Sequence, residues 1–217
     1  HYARLRKRLQ QKGTRGAKRC LKRIEQRERR LKMQANHIIA KQIIKEHPHA
    51  LIGLEQLTDI RERTKRRKRK RKKNGKGSLP VSPKARKANR VYSQWSFAEL
   101  HALLSYKATL AGSLAVKVDA DYTSKRCPLC GHTADENRPR KGLLFVCQNP
   151  NCLYTLHADL IGARNVTMRT LLVRHDWIRT GYLSTAPDAS DKEAKAARLQ
   201  RYAELRWSPE VTQASGF

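Results

Sequence analysis

The stretch VDADYTSKRCPLCGHTADENRPRKGLLFVCQNPNCLYTLHADLIGARNV, residues 118–166, decides how the rest of the chain is read. Cys127 and Cys130 form a C-x2-C pair, and Cys147 and Cys152 form a slightly wider one, with sixteen residues between the pairs. Two such pairs can wrap four thiolates around a tetrahedral zinc ion. Gly131 and Pro150 suit the tight turns of such knuckles. His132 and His157 stand near the pairs and could substitute for a ligand, but the four cysteines already complete a closed structural site. Such a metal stabilises a small ribbon with little core of its own, and gives no chemistry by itself. Just past the second pair, Asp159 opens an apolar, helix-prone run, Leu160 to Leu172. A carboxylate in a first helical turn is ordinary, because the helix dipole favours it. Beside a zinc ribbon in a basic chain it is also a candidate magnesium ligand.

The chain has 217 residues and a formal net charge of +30, enough for one domain or one and a half. A charge of that size calls for a polyanionic partner, and nucleic acid is the commonest. A membrane surface competes, but no apolar run approaches the roughly 18 residues of a spanning helix, and no signal segment is visible. Four of the five cysteines sit in zinc spacing and Cys20 stands alone, which suits a reducing cytoplasm better than a disulfide framework. The first residue is His1 rather than Met, so the natural start is expected elsewhere.

Residues 1–49 read as a basic helical region. Over 14–46, Ala17, Cys20, Leu21, Ile24, Leu31, Ala35, Ile38 and Ile39 recur at helical steps, with Thr14 as a cap and Pro48 closing the end. Cys20 is expected to be a small buried hydrophobe on that face. ALIGLEQL, residues 50–57, suits a strand buried on both faces of an α/β sheet. Glu55 near its carboxyl end is either a surface residue or a metal ligand, since active-site groups of open α/β sheets gather at strand carboxyl ends. The block RERTKRRKRKRKK, residues 61–73, contains Arg66, Arg67, Lys68, Arg69, Lys70 and Arg71. It is expected to be a disordered basic insertion over about 61–90 that meets phosphates without reading bases. Residues 93–111 predict a helix packed on a sheet, with Ser93 or Ser96 as a cap, and SLAVKV, 113–118, a further strand. Residues 119–157 form the ribbon, 158–174 a helix, and 175–217 a tail. In that tail Ser190 and Glu193 are spaced as a capping box for a terminal helix over 191–207. Trp177 and Trp207 are expected to pack locally rather than stack on bases. The order of elements makes an α/β domain with insertions.

IGLEQL at 52–57, VDADYTSKRCPLCGH at 118–132, ENRP at 136–139 and HADLIGARNV at 157–166 together resemble TnpB, the transposon-encoded protein of bacterial insertion sequences. The N-terminal run LRKRLQQKGTRGAKRCLKRIEQRERRLKMQANH is similar to the basic helices of that family, and the likeness covers about residues 1–172 in the family's order. The resemblance implies a partial RNase H-like, RuvC-type domain with long basic helices and an inserted four-cysteine zinc ribbon. It also implies an RNA-guided DNA endonuclease working with a transposon-derived guide RNA, in which three acidic residues hold Mg2+ or Mn2+. Glu55 matches the second of these and Asp159 the third. Ile161 stands where the family's third motif has Asn. The family's first acidic residue has no counterpart in residues 1–217, and Asp119 and Asp121 match a different part of the family. The chain by itself is therefore expected not to cut DNA. The resemblance implies a place in the bacterial cytoplasm, on the nucleoid. The competing readings are a non-catalytic zinc-ribbon protein that binds DNA or RNA, and a structural zinc-ribbon protein of a ribonucleoprotein.

Overall fold

A computed structural model of the chain describes residues 2–57, 96–139, 143–183 and 191–208. These fall into two compact units, one of residues 2–48 and 96–112, the other of residues 49–57 and 113–208. The basic insertion at 61–90, Arg66 to Arg71 included, lies outside the described residues.

The first unit is helical. Helices α1 (Tyr2–Lys12) and α2 (Arg15–Glu46) are separated by Gly13 at φ +61°, a left-handed conformation that glycine adopts without Cβ strain. The Thr14 hydroxyl caps α2, accepting from the Ala17 amide at 3.2 Å as its sequence position predicts. Arg6 of α1 pairs with Glu28 of α2. Helix α3 (Phe97–Leu110) packs on α2, burying Leu104 and Ala108.

Three expectations are corrected by this unit. The buried side of α2 is Ala17, Ile24, Asn36, Ala40 and Ile44, while Cys20, Leu31, Ala35, Ile38 and Ile39 are exposed. Periodicity finds an apolar stripe but not the partner that selects which face is covered. Part of the selection is polar: buried Asn36 donates to Ser96 Oγ and Glu99 Oε2, each at 2.8 Å. Ser96 is thus occupied by Asn36 and makes no side-chain cap of its own helix. Helix α3 packs on a helix rather than on a sheet.

The second unit mixes strands and helices. Strands β1 (Leu51–Gln56) and β2 (Leu114–Asp119) pair in parallel, with Leu51 opposite Leu114 and Glu55 opposite Val118. Among residues of β1 only Leu54 is buried, so the strand is less enclosed than its apolar run suggests. A short antiparallel pair, β3 (Leu144–Val146) and β4 (Thr155–His157), builds the ribbon. Helix α4 (Ala158–Thr180) leaves β4 directly and lies along β1 and β2. Val116, Val118 and Val173 form the core there, with Leu51, Leu114 and Val166 against them. Close approach of α4 requires Gly53: a Cβ at this position would lie 2.0 Å from Thr170 Oγ1 and 3.2 Å from Val166 Cγ1. The αL residue Gly181 (φ +72°) ends α4. Helix α5 (Lys192–Glu204) follows, capped by Asp191, whose carboxylate accepts from the Ala194 amide at 2.9 Å. Ser190 of the expected capping box lies outside the described residues.

Candidate metal centre and carboxylate end of the sheet

The four thiols converge. Cys127, Cys130, Cys147 and Cys152 place their sulfurs within 4.8 Å of one another, and all four are free. Among the described residues this is the only group of three or more Cys, His, Asp or Glu side chains that meets in this way. Sγ of Cys127 lies 3.8 Å from that of Cys152, and Cys130 lies 3.5 Å from Cys147. A disulfide would need roughly 2 Å. Thiolates about 2.3 Å from a central zinc stand roughly 3.8 Å apart at the corners of a tetrahedron, so the donor set and its spacing fit a tetrahedral ion. Burial drives the Cys127 thiol upward and pushes Cys147 up to about 12. At Cys130 burial acts the same way, but the His132 amide and the neighbouring thiols outweigh it and bring it down to about 7. Four thiols this close cannot all ionise without a cation among them.

Local structure explains the convergence. The Gly131 amide donates to the Cys127 carbonyl at 3.0 Å, and the Cys127 amide donates to the His132 carbonyl at 2.8 Å, closing the first knuckle. Gly131 itself sits at φ +80°. The second closes through Cys152 and Leu153 amides on the Asn149 carbonyl. Asn137 joins the two. Fully buried, it donates to the carbonyls of Lys125 and His132 and accepts from the Gln148 amide at 2.9 Å. His132 contributes backbone, and His157 caps α4 through its ring nitrogen, so neither replaces a cysteine.

Ile161, where the resemblance expects Asn, is fully buried with Cys127, Phe145 and Cys147. Its side chain belongs to the ribbon core and not to a polar site.

Glu55 and Asp159 lie at one end of the second unit but are not part of a converged ligand set. Half-buried Glu55 is at the carboxyl end of β1 and accepts from the Thr123 hydroxyl at 2.8 Å. The Thr123 carbonyl in turn accepts from buried Asn165 of α4 at 2.8 Å. Asn165 also donates to the Arg126 carbonyl at 2.8 Å, and Arg169 donates to the carbonyls of Asp119 and Asp121. The first turns of α4 therefore stand at the carboxyl side of β1 and β2. Asp159 is in the first of those turns, with its side chain 78 % exposed and 3.8 Å from His157 Nδ1. It is seven residues before Val166, hence on the same helix face, and about 10 Å further along the axis.

The same edge carries charges that sequence reasoning passed over. Asp119 is buried and accepts from Tyr202 of α5 at 3.1 Å. Lys195 pairs with Asp121 at 2.5 Å, and Arg201 makes two 2.8 Å bonds to Asp176. Arg169 is 2 % exposed, with its guanidinium 4.4 Å from the Tyr202 ring centre. Burial lowers Arg169, against the pull of Tyr202, Asp119, Asp121 and Glu55, and burial with nearby Asp119 pushes Tyr202 up to about 12. Asn137 and Asn165 both lie inside the quoted motifs, ENRP and HADLIGARNV. Their neighbours, Glu136 and Arg138 for the first and Arg164 and Val166 for the second, gave no sequence signal of a buried staple. Trp207 packs locally, with its amide on the Pro128 carbonyl at 2.8 Å and Arg164 over its ring at 5.1 Å. Trp177 remains exposed.

Residues 97–166 match the family described as the Cas12f1-like TNB domain, a span from α3 through the ribbon to the start of α4. The chain is 41 % identical over 78 residues to a putative RNA-guided DNA endonuclease, InsQ, of Escherichia coli, covering 36 % of this chain and 19 % of InsQ. It is 31 % identical over 130 residues to a TnpB-like protein of Methanocaldococcus jannaschii, covering 59 % of this chain and 40 % of that protein. The chain is thus similar, over these spans, to TnpB-like proteins. It spans less than half the length of these curated relatives. Among solved structures, the Cas12f1–sgRNA–target DNA complex aligns with 74 % of this chain and 40 % of its own, at 19 % identity and a TM-score of 0.49. No helix among the described residues is long and apolar enough to cross a membrane.

Proposed function

We propose that residues 1–217 carry part of a TnpB-like, RNA-guided, metal-dependent DNA endonuclease encoded by an insertion sequence and acting in the bacterial cytoplasm. In this reading the chain holds the zinc ribbon and two of the three acidic ligands. The observation that carries it is the hydrogen-bonded link Glu55–Thr123–Asn165. That link ties the acidic end of β1 to the helix whose first turn presents Asp159. Relatives with names that state RNA-guided endonuclease activity support the assignment.

Each group has a role. The four cysteines hold zinc and keep the ribbon folded against α4. Glu55 and Asp159 offer the hard oxygen donors that Mg2+ or Mn2+ prefers. Such ions, once bound, would polarise a phosphodiester and activate water. Two carboxylates without a third converged ligand do not complete that site, so residues 1–217 by themselves bind DNA and guide RNA without cutting. Arg66 to Arg71 supply phosphate contacts, and sequence is read by guide pairing.

The test compares residues 1–217 alone with a longer form in which they are joined to the N-terminal regions of a TnpB-like relative. Metal-dependent cleavage of guide-matched DNA by the longer form, abolished by Glu55→Gln and by Asp159→Asn, supports the nuclease. Ile161 in the ribbon core favours a second reading, a zinc-ribbon binder without catalysis, because a polar group of the third motif is absent there. Salt-sensitive binding unchanged by both substitutions, with no cleavage by the longer form, would establish that reading instead.

A further inference from the structure

Beneath the first knuckle lies a pair of cations with no carboxylate partner among the described residues. Arg126 is 4 % exposed, and its Nε has no hydrogen-bond partner. Its terminal nitrogens go to Asn165 Oδ1 at 3.2 Å, to the Ala203 carbonyl at 3.2 Å and to the Leu205 carbonyl. Arg206 donates to the same two carbonyls, at 2.6 and 2.8 Å. Its guanidinium lies over Gly131, where a Cβ would come within 2.7 Å of it. Two guanidinium groups, that of Arg126 buried, thus share two neutral acceptors. Burying a charge without a counter-charge is costly.

The counter-charge is available next door. Arg126 precedes Cys127 in the chain, and Gly131 follows Cys130. Four thiolates around a divalent ion leave two net negative charges at that point. The Trp207 amide on the Pro128 carbonyl adds a third contact between the C-terminal segment and the same knuckle.

We propose that Arg126 and Arg206 are the charge-compensating residues of the loaded thiolate site, and that residues 203–207 are a latch closed by the metal. The proposal rests on the four thiols holding a divalent metal. With the ion in place, both guanidinium groups face two negative charges and the segment lies down on the knuckle. Without it they repel each other, and the segment lifts. Helix α5, which runs directly into this segment, presents Lys195 and Tyr202 to Asp121 and Asp119. Metal loading of the ribbon is therefore felt at the carboxyl end of the sheet, beside Glu55. Linkage makes the effect reciprocal: whatever factor the metal adds to latch closure, the closed latch adds to metal affinity.

Limited trypsin digestion of the full chain, zinc-loaded against chelator-treated, tests this. Cleavage after Arg201 is followed by mass spectrometry, and zinc affinity is measured by competition with a chromophoric chelator. Zinc is expected to slow cleavage about tenfold, within the usual span of site-to-site coupling. Arg206→Gln, an exposed position that tolerates the change, should bring that ratio below about threefold and weaken zinc by the matching factor. Tyr202→Phe, which loosens the segment on the sheet side, should raise cleavage in both states and keep the ratio. A chain that binds no zinc overturns the metal reading and the latch with it. Zinc bound at full stoichiometry with unchanged cleavage overturns the latch alone. A tenfold ratio that survives Arg206→Gln shows instead that chelation merely melts the ribbon, and overturns the charge account.

Discussion

Cys127, Cys130, Cys147 and Cys152 meet at one point, whereas Glu55 and Asp159 share only an end of the sheet. The two sets differ in what brings them together. Each cysteine pair is closed by its own tight turn, and one short hairpin with Asn137 joins the pairs. Nearly all of that is written in neighbouring residues. The carboxylates depend on a parallel strand register, on the packing of α4 against Gly53, and on a hydroxyl and an amide that no ligand spacing announces. A site made by local turns survives crude reading; a site made by packing has to be reached through its supports.

The largest expected effect therefore lies in the ribbon. Cys147→Ser should take zinc content from one ion per chain towards none and unfold residues 119–157. Structural zinc contributes on the order of 10 kcal/mol to small ribbons. Metal analysis alongside the amide NMR spectrum of the ribbon checks this, and a variant with full zinc content and unchanged ribbon signals would break the comparison at its stronger end.

The supports of the carboxylate end come next. Gly53→Ala places a methyl 2.0 Å from Thr170 Oγ1, which only a shift of α4 away from β1 can relieve. Overpacking of this kind costs about 1–3 kcal/mol, to be read from denaturant midpoints. The ribbon's zinc affinity should move much less than stability, because none of its turns involves β1 and the shift reaches it only through Ile161 and Asn165 of α4. If zinc affinity falls in parallel with stability, the two regions are less independent than their construction implies.

Much of this was legible in the residues alone. The strand over 51–56, the strand over 114–119, the thiol set and the helix from Asp159 all follow from spacing and apolar pattern. What failed did so for one reason, that a pattern names an element and not its neighbour. Cys20 sits on an apolar stripe that α3 does not cover, and α3 found a helix where a sheet was expected. Arg126 and Arg169 read as two more positive charges in a basic chain, yet both are buried and direct their donors to backbone carbonyls. The resemblance covered residues up to about 172, while the helix it identified runs to Thr180 and is fastened from outside the resemblance, by α5.

Asn165 is where the two regions touch, so it sharpens the comparison most. Its amide donates to Thr123 and Arg126 carbonyls and accepts from the Arg126 guanidinium. Asn165→Ala leaves those groups buried and unpartnered, at about 1–3 kcal/mol. Asn165→Asp keeps the acceptor and the shape but loses both donors. If the carbonyl contacts matter more than the guanidinium contact, the two variants should be similarly destabilised in thermal melts. Recovery by Asp would instead place the weight on Arg126.

The smallest effect concerns the fastening of α5 to α4. Two hydrogen bonds from Arg201 hold the Asp176 carboxyl below the ordinary carboxylate range, against the upward push of burial. A carboxyl lowered in the folded state stabilises the fold at pH values above its unfolded pKa of about 4, and that contribution is lost as pH falls through the depressed folded value. Arg201 is half exposed, so solvent screens the pair and its worth is about 1 kcal/mol at most. Asp176→Asn should therefore lower stability slightly at neutral pH and flatten the decline below pH 4, with the two melting curves converging as the acid limit is approached. The latch predicts one thing more. If α5 is held on the ribbon side by metal-dependent charge and on the α4 side by Arg201, the Asp176→Asn loss should be larger in chelated than in zinc-loaded protein. Only in the chelated form is Asp176 one of the few remaining ties. Equal losses in both forms would mean that the C-terminal segment is held by the sheet alone, and that the ribbon and the carboxylate end do not communicate through it.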